Sequence, residues 1–349
     1  MRDLVIVVPD LYLTDTPAPR PGALALPGLD RLARHGDFAP LASDWRAWVA
    51  RRVGLERLGA AAPASVIAAA LELPPGEGEM AWLATPLHLV AGMASLLLDP
   101  RGLLELTPEE VVLLVEDFAR AFAGSGFTLR AAAPRGLVLV GPAFEDVRTH
   151  DPARWLGAGI LPALPQGRGG LLLQRLGSEI EMWLHEHELN ARRARRGALP
   201  VNSLWAWGGG APIVPPASSP SPSPSPATAA GAGLPAAWGD DPWLHAAWKL
   251  GGGVIVDEAP QVERVLGSSS DRAIVVTPVF RGAGSRAPFA PALALEAFDA
   301  EWIVPVADAL RAGRLASVTI VAGDRALVMR RAHALRFWRG PRSWLGQLQ

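Results

Sequence analysis

The stretch MRDLVIVVPD, residues 1–10, decides the fold class. Its apolar, β-branched run at positions 4–8 is typical of a strand buried on both faces of a parallel sheet. Asp10 follows the strand, at the end where open α/β sheets bind their ligands. Asp10 is therefore a candidate ligand-binding residue. No metal site is predicted, with Asp10 as the single weak candidate for a metal ligand.

Helical patterns alternate with apolar strands along the rest of the chain. Thr107 and Glu110 form a capping box that predicts the beginning of one helix, and Ser178 and Glu181 predict another. Further helices are predicted at residues 28–35, 44–52 and 63–71. Further strands are predicted at residues 128–132, 137–140, 254–256 and 273–277, with a hairpin over 318–330.

This alternation predicts an α/β fold with a single mostly parallel or mixed sheet and flanking helices. Residues 1–211 form the N-terminal part of the domain, and residues 238–349 complete the sheet. Between them, the Pro/Ser-rich residues 212–237 cannot form a packed core and are predicted to be a disordered loop. Two independent domains are the alternative.

Composition excludes several classes of function. The net charge of −1 gives no electrostatic basis for binding nucleic acid or an anionic membrane surface. The absence of cysteine excludes disulfides, thiolate nucleophiles and iron–sulfur clusters. The apolar run at 4–8 is too short for a secretion signal, and residues 80–98 are interpreted as a strand followed by a buried helix rather than a membrane span. We expect a cytoplasmic protein with neither a nucleic-acid nor a membrane partner.

The least ordinary stretch is LPVNSLWAWGGG, residues 199–210. Alternation places Trp205 and Trp207 on one face of a strand, and three glycines follow them. Successive glycine N–H groups can cradle an anion, and side chains nearby can add donors. The candidate binding residues here are Asn202, Ser203, Trp205, Trp207, Gly208, Gly209 and Gly210. The alternative is a tryptophan-rich strand packed on the preceding helix.

Two histidine patterns are weak metal candidates. His185 and His187 are two apart, so on a helix they point in opposed directions and cannot share a metal ion. Asp146 and His150 are four apart, but the segment runs into Asp151-Pro152, which disfavours a helix. We expect His187 to be a half-buried member of the apolar face and His185 to be solvated, and we expect no metal site at Asp146 and His150.

The residues around the tryptophan-rich stretch resemble a bacterial family. That family comprises the RpfE-type regulatory proteins, which are described as phosphoglycerate-mutase-like. The matching residues are Glu179, Ile180, Met182, Asn190, Arg193, Pro200, Asn202, Ser203, Trp205, Trp207 and Gly208 to Gly210. TPLHL at 85–89 and HDPARWLG at 150–157 also look like the family. The resemblance adds Asn190 and Arg193 to the candidate ligand-binding residues.

The resemblance implies an alkaline-phosphatase-like core related to the cofactor-independent phosphoglycerate mutases. Those enzymes need two metals, a Ser or Thr nucleophile and several Asp/His clusters; the sequence offers Asp10 and little else. The leading hypothesis is a non-catalytic regulatory protein that binds a small-molecule or protein ligand of unknown identity. One alternative is a phosphomutase or phosphatase that uses manganese or a similar divalent metal. Another is an interaction scaffold that uses the Ser-Pro loop and the Trp/Arg tail at 336–344. The catalytic residues and the oligomeric state are not predicted.

Overall fold

The computed structural model describes residues 2–12, 24–72, 75–92, 95–132, 135–213, 233–281, 291–336 and 338–340. The strands are β1 (Arg2–Val8), β2 (Asp37–Pro40), β3 (Glu79–Ala91), β4 (Leu96–Leu103), β5 (Thr128–Ala132), β6 (Gly136–Pro142), β7 (Ser203–Gly210), β8 (Ala236–Trp238), β9 (Ile255–Asp257), β10 (Arg272–Val276), β11 (Leu315–Ala322) and β12 (Arg325–Arg330). The helices are α1 (Pro27–His35), α2 (Trp45–Val53), α3 (Glu56–Ala60), α4 (Pro63–Ala70), α5 (Pro108–Ala121), α6 (Arg168–His185), α7 (Glu188–Arg195), α8 (Pro242–Leu250), α9 (Val262–Gly267), α10 (Pro291–Phe298) and α11 (Val304–Arg311).

The first sheet has seven strands in the order β2-β12-β11-β1-β10-β8-β9. β1 lies at its centre and pairs in parallel with β10 and β11, as the apolar run predicts. β12 and β2 add an antiparallel edge. The mixed α/β class, with a mostly parallel sheet and flanking helices, is confirmed.

The prediction of a single sheet is wrong. β3, β4, β5, β6 and β7 form a second sheet in which every pairing is antiparallel. Within the described residues, no strand of this sheet pairs with the first one. The partners of β3 are β4, β6 and β7, so its backbone hydrogen bonds are used inside the second sheet. Alternating strands and helices in sequence do not distinguish these two arrangements.

The core follows from the two faces of β1. Val5 and Val7 face a cluster that contains Trp45 and Trp243 and also Trp207 of the second sheet. Leu4, Ile6 and Val8 face the opposite way, toward side chains of α1 and α11. A third cluster lies between the second sheet and helices α5 and α6. The first cluster therefore lies between the two sheets.

The apolar stretch at 80–98 contains two strands. It covers most of β3 and the beginning of β4, so the buried helix predicted there is wrong. Its side chains pack in the cores on both faces of the second sheet. Among the residues described, no helix combines the length and the apolar character needed to cross a membrane.

Two predicted boundaries need correction. Ser178 does not begin a helix: α6 begins ten residues earlier, where Gly169 packs against Phe144, and Ser178 lies inside the helix with its hydroxyl on the carbonyl oxygen of Gln174. The predicted loop at 212–237 ends too late, because its last two residues already belong to β8, which pairs with β10. Most of that loop, residues 214–232, lies outside the described residues.

Candidate functional site

Three neighbouring parallel strands end at one edge of the first sheet. Asp10 follows β1, Asp240 and Asp241 follow β8, and the segment 279–281 follows β10. A cavity of about 70 Å³ lies between this edge and the second sheet. Because ligands of open α/β sheets bind outside the carboxyl ends of the strands, this cleft is the candidate functional site.

Asp10 is buried and holds the loop after β10. Its carboxylate accepts hydrogen bonds from the backbone N–H groups of Val279, Phe280 and Arg281, at 2.9, 2.7 and 3.0 Å. Burial raises the pKa of the Asp10 carboxyl, while the three N–H donors oppose that rise. Both oxygens therefore already have partners within the protein.

The donor set around Asp10 does not fit the two metals that the family resemblance implies. No group of three or more His, Asp or Glu side chains suited to holding a metal ion occurs in the described part of the chain. Three backbone N–H groups present positive dipoles to the Asp10 oxygens, where a cation would be repelled. We therefore derive no reaction step through a metal. Thr14, Asp15 and Thr16, which follow Asp10 in sequence, lie outside the described residues.

Arg46 is the charged residue at the centre of the cleft. Its Nη1 lies 3.0 Å from Asp44 and 3.5 Å from Asp151, and its Nη2 lies 3.8 Å from Asp241. The guanidinium also lies over two indole rings, 4.5 Å from the centroid of Trp45 and 5.0 Å from that of Trp207. Arg46 joins α2, the β8 edge and the second sheet in one buried cluster.

The electrostatics of this cluster follow from burial and from the three carboxylates. Burial opposes the charge on Arg46, but the neighbouring Asp44, Asp241 and Asp151 outweigh it and raise the pKa of the guanidinium. Burial raises the pKa of Asp151, and Arg46 opposes that rise. Burial also raises the pKa of Tyr12, and the charge of Asp151 adds to this effect. The positive charge of Arg46 is thus stabilised by its carboxylate neighbours, whereas Asp151 and Tyr12 hold their protons more tightly than they would in water.

The sequence reasoning missed this arginine. Asp44 precedes α2 and accepts a hydrogen bond from the backbone N–H of Arg46, as a helix N-cap does. Asp241 caps α8 in the same way, and Asp151 accepts from the backbone N–H of Ala153. In the sequence, each of the three aspartates has the pattern of an ordinary cap of a helix or turn. The fold brings them together around the Arg46 guanidinium. An arginine between two tryptophans, in the stretch DWRAW at 44–48, was the available signal.

The candidate residues Asn202 and Ser203 have structural partners. The Asn202 amide bonds to both the N–H and the carbonyl of Leu89, each at 2.8 Å, and so extends the pairing of β7 with β3. Ser203 is buried, and its hydroxyl bonds to the Glu181 carboxylate, whose pKa is raised by burial and lowered by this bond. Neither side chain faces the cleft as a free donor.

The two tryptophans anchor β7 to its neighbours. Trp205 donates from Nε1 to the carbonyl oxygen of His150 at 2.9 Å. Trp207 donates from Nε1 to the Thr85 hydroxyl at 2.8 Å, and Trp207 and Thr85 both line the cleft. Of the residues that the sequence singled out, Trp207 lines the cavity itself.

The three glycines make room for close packing. A Cβ on Gly208 would lie 2.7 Å from Pro63, one on Gly209 would lie 2.3 Å from the Trp82 ring, and one on Gly210 would lie 2.3 Å from the Cβ of Ala62. The N–H of Gly208 donates to the Thr149 hydroxyl at 3.1 Å. These contacts explain why glycine is needed at the three positions, and the interpretation of the run as an anion cradle stays a prediction.

Asn190 and Arg193 connect α7 to the entry of β7. Asn190 bonds to the backbone of Leu184 and to both the N–H and the carbonyl of Val201, all at 2.8 Å. Arg193 bonds to the Leu199 carbonyl oxygen at 2.6 Å and to the Glu110 carboxylate at 2.8 Å. Both residues therefore connect α7 to neighbouring segments, and neither lines the cleft.

The structure brings Asp10 and the tryptophan-rich strand to the same cleft only indirectly. Arg281, whose backbone N–H binds Asp10, lines the cavity together with Trp207 and Arg46. Asp10 itself does not line it. Of the predicted site residues, Trp207 thus lines the cleft directly, and Asp10 is connected to it through the loop that carries Arg281.

The histidine pairs occupy separate places. His185 is exposed, whereas His187 is buried and caps α7 by accepting the Leu189 N–H on Nδ1 at 3.1 Å. Asp146 is exposed and accepts from the Arg168 N–H, while His150 Nδ1 lies 3.3 Å from the Ala163 carbonyl oxygen. Neither pair is arranged as a metal site.

His187 makes stability depend on pH. Burial lowers the pKa of its imidazole, against the opposing charges of Asp117 and Glu188, and Arg192 lowers it further. The unfolded chain therefore binds a proton more readily below a pH of about 6.5, so the free energy of unfolding falls as the pH drops through that range. Protonation of Nδ1 would also remove the helix cap.

The matched variant is His187→Asn, because asparagine keeps an N-cap acceptor but does not titrate. Urea denaturation from pH 7.5 to 5 should give a shallower loss of stability for this variant than for the wild type. Equal slopes for the two proteins would contradict the assignment to His187.

No family model matches the chain. A 2,3-bisphosphoglycerate-independent phosphoglycerate mutase of Methanothrix thermoacetophila is 29% identical over 149 residues, which are 42% of this chain and 36% of that protein. The match thus spans little more than a third of the relative's length. It indicates distant homology to the cofactor-independent phosphoglycerate mutases.

Two solved structures are also similar over most of the chain. The cofactor-independent phosphoglycerate mutase of Thermoplasma acidophilum is 16% identical with a TM-score of 0.38, covering 95% of this chain and 90% of that one. The PH0037 protein of Pyrococcus horikoshii is 13% identical with a TM-score of 0.42, covering 94% and 87%.

Proposed function

We propose that this chain is a phosphoglycerate-mutase-like regulatory protein of the RpfE type, which binds a ligand and does not transfer phosphoryl groups. The observation that carries the proposal is the environment of Asp10. Its carboxylate is buried and accepts three backbone N–H groups of the loop after β10. An aspartate held in this way organises a loop, and most of its acceptor capacity is used within the protein.

The remaining carboxylates of the cleft support the same conclusion. Asp241 is buried and Asp151 is half-buried beside Arg46, which is itself buried. A metal-dependent phosphoryl transfer needs cations that clamp the transferring group and activate the nucleophile. Here a guanidinium occupies the centre of the acidic cluster, and a guanidinium cannot activate a hydroxyl or a water molecule as a metal does.

The cleft supports a binding role. It is concave, lies between the two sheets and combines apolar walls from Leu104 and Leu106 with charged side chains such as Arg281. Charged side chains from both sheets converge there beside the apolar ones, and a concave pocket with convergent polar groups is a common setting for a small-molecule site. We infer that the regulatory ligand binds in this cleft. A protein partner would then respond to the ligand by contacting the two sheets that enclose the cleft.

The test is an activity measurement with a matched variant. The purified protein is incubated in the presence of Mn²⁺ with 3-phosphoglycerate and, in a separate reaction, with p-nitrophenyl phosphate. The products of each reaction are measured. We expect no turnover above a protein-free blank. We also expect Asp10→Asn to lower stability without changing this result, because the amide cannot accept three N–H donors as well as the carboxylate does.

The rival function is a metal-dependent phosphomutase or phosphatase. It is supported by the sequence similarity to the mutase of Methanothrix thermoacetophila. Manganese-dependent turnover that Asp10→Asn abolishes, while circular dichroism shows a folded variant, would establish the rival and refute the non-catalytic proposal.

The third hypothesis, an interaction scaffold, has one supporting feature. Trp338 is 70% exposed, whereas Arg336 and Arg339 are held by the carbonyl oxygen of His35 and by Asp37. At this point of the tail, the two arginines hold the chain to the end of α1 and to Asp37, and the side chain of Trp338 is largely accessible. Deleting residues 218–232 should leave the fold intact, and loss of a co-purifying partner on deletion would favour the scaffold.

A further inference from the structure

Two charged side chains of the cleft have no ion-pair partner within the described residues. Asp240, after β8, and Arg281, after β10, both line the cavity, and neither takes part in a salt bridge there. Both are half-buried, so their charges are only partly solvated. One unpaired anion and one unpaired cation thus face the same small space.

A second charged pair of the cleft is poorly matched. Arg135 and Glu105 also line the cavity, with Nη1 and Oε2 separated by 3.9 Å, which is beyond hydrogen-bond distance. Burial raises the pKa of Glu105 and the negative charge of Asp240 adds to this effect, while the positive charges of Arg281 and Arg135 oppose it. Glu105 and Asp240 therefore repel each other, and a positively charged group between them would relieve the repulsion.

Arg46 adds a buried positive charge to the wall of the cavity. It is 6% exposed and lines the cavity, and its Nε has no hydrogen-bond partner in the described structure. A buried N–H without an acceptor is costly, and such groups are rare in native proteins. Because the Nε atom is buried, a ligand in the cavity would meet Arg46 as a positive charge in the wall and not as a partner of Nε.

We propose that the cleft binds a small zwitterion of the α-amino-acid class, with its ammonium group toward Glu105 and Asp240 and its carboxylate toward Arg281 and Arg46. The proposal rests on the binding function proposed above and names its ligand class. Charge complementarity carries it, because the cavity lining holds as many acidic as basic side chains, with Asp241 the third acid beside Glu105 and Asp240. A neutral lining that presents separate positive and negative groups suits a zwitterion better than a phosphate dianion.

Size limits the ligand further. A volume of about 70 Å³ accommodates roughly five to seven water-sized atoms. This corresponds to amino acids with small side chains, such as alanine or serine. The apolar contribution of Leu104, Leu106 and Leu137 to the lining favours alanine.

The first test is a titration of the wild-type protein by calorimetry. The probes are L-alanine and L-serine, with ethylamine, propionate and inorganic phosphate as controls that each lack part of the zwitterion. We expect saturable binding of an amino acid and at least roughly tenfold weaker binding of every control, because each control leaves charged groups of the cleft unpaired. Absence of amino-acid binding, or tighter binding of phosphate, would overturn the proposal.

The second test uses variants of the two unpaired side chains. Asp240→Asn and Arg281→Gln should each weaken the binding of L-alanine by roughly tenfold or more. The control is Asp308→Asn, an exposed acid that pairs with Arg31 far from the cleft, and it should bind as the wild type does. Unchanged affinity in both cleft variants would refute the site, and the titration of the wild type decides the question if either variant fails to fold.

Failure of this proposal is distinguishable from failure of the proposed function. The titration reports on ligand class, and the manganese-dependent turnover assay reports on catalysis. No amino-acid binding together with no turnover would overturn the ligand class alone, whereas turnover would overturn the non-catalytic function whatever the titration gives.

Discussion

Replacement of Arg46 by methionine is expected to lower the free energy of unfolding by about 3–5 kcal/mol at pH 7. The guanidinium is the shared partner of Asp44, Asp151 and Asp241, and the last two carboxylates are 14% and 6% exposed. Methionine fills much of the volume but leaves buried negative charges without a counter-charge. Loss of the guanidinium also removes the cation that lies over the Trp45 and Trp207 rings.

The pH dependence of this loss gives a specific check. Without Arg46 the pKa of Asp151, already raised by burial, rises further, so the folded variant binds a proton more readily than the unfolded chain. The deficit in the free energy of unfolding should therefore shrink as the pH falls from 7 toward 4.5, as measured by urea denaturation.

The matched control is Arg31→Met. Arg31 lies 2.7 Å from Asp308, but both side chains are more than 40% exposed, so the change should cost at most about 1 kcal/mol. Equal losses for the two variants would mean that the Arg46 cluster contributes no more than a surface ion pair does.

The second large effect is expected for Gly209→Ala. A Cβ at this position would lie 2.3 Å from Cδ1 and Nε1 of Trp82, a ring that is fully buried. Because Trp82 packs among Phe127 and Phe144, it has little space to move, and we expect a loss of about 1–3 kcal/mol. The midpoint of thermal unfolding measures this effect.

Gly177→Ala is the corresponding control. Gly177 lies inside α6, and a Cβ there meets no atom within 4 Å. Alanine should stabilise the helix by up to about 1 kcal/mol. A neutral Gly209→Ala would show that the glycine run is not held by close packing and would favour its interpretation as a ligand-binding loop.

The elements that sequence reasoning predicted well are those with strong local signals. The apolar run at 4–8 predicted a central parallel strand, and Thr107 with Glu110 predicted the beginning of α5 through a capping box that the structure contains. The same signal at Ser178 failed, because the serine hydroxyl bonds back to the carbonyl of the preceding turn inside a longer helix. A capping pattern is local, whereas the start of α6 depends on packing against Phe144.

The candidate site residues were chosen on equally local signals. Asn190, Arg193, Asn202 and Ser203 carry polar groups that suit ligand binding, yet each bonds to backbone or side chains of its own protein. Trp207 was identified by its place in the motif and does line the cleft. Arg46 was not identified, because Asp44, Asp151 and Asp241 are far apart along the chain and each caps its own turn or helix.

The sequence by itself determined the α/β class, the central strand and the position of Asp10 at its end, because hydrophobic periodicity and turn residues act over a few neighbouring positions. The tertiary structure alone decided that the strands divide into two sheets and that Asp10 binds the loop after β10. It also decided that three distant aspartates share one buried arginine. Strand pairing and charge pairing join residues that are distant in sequence, and their energies depend on burial, which only the folded chain defines.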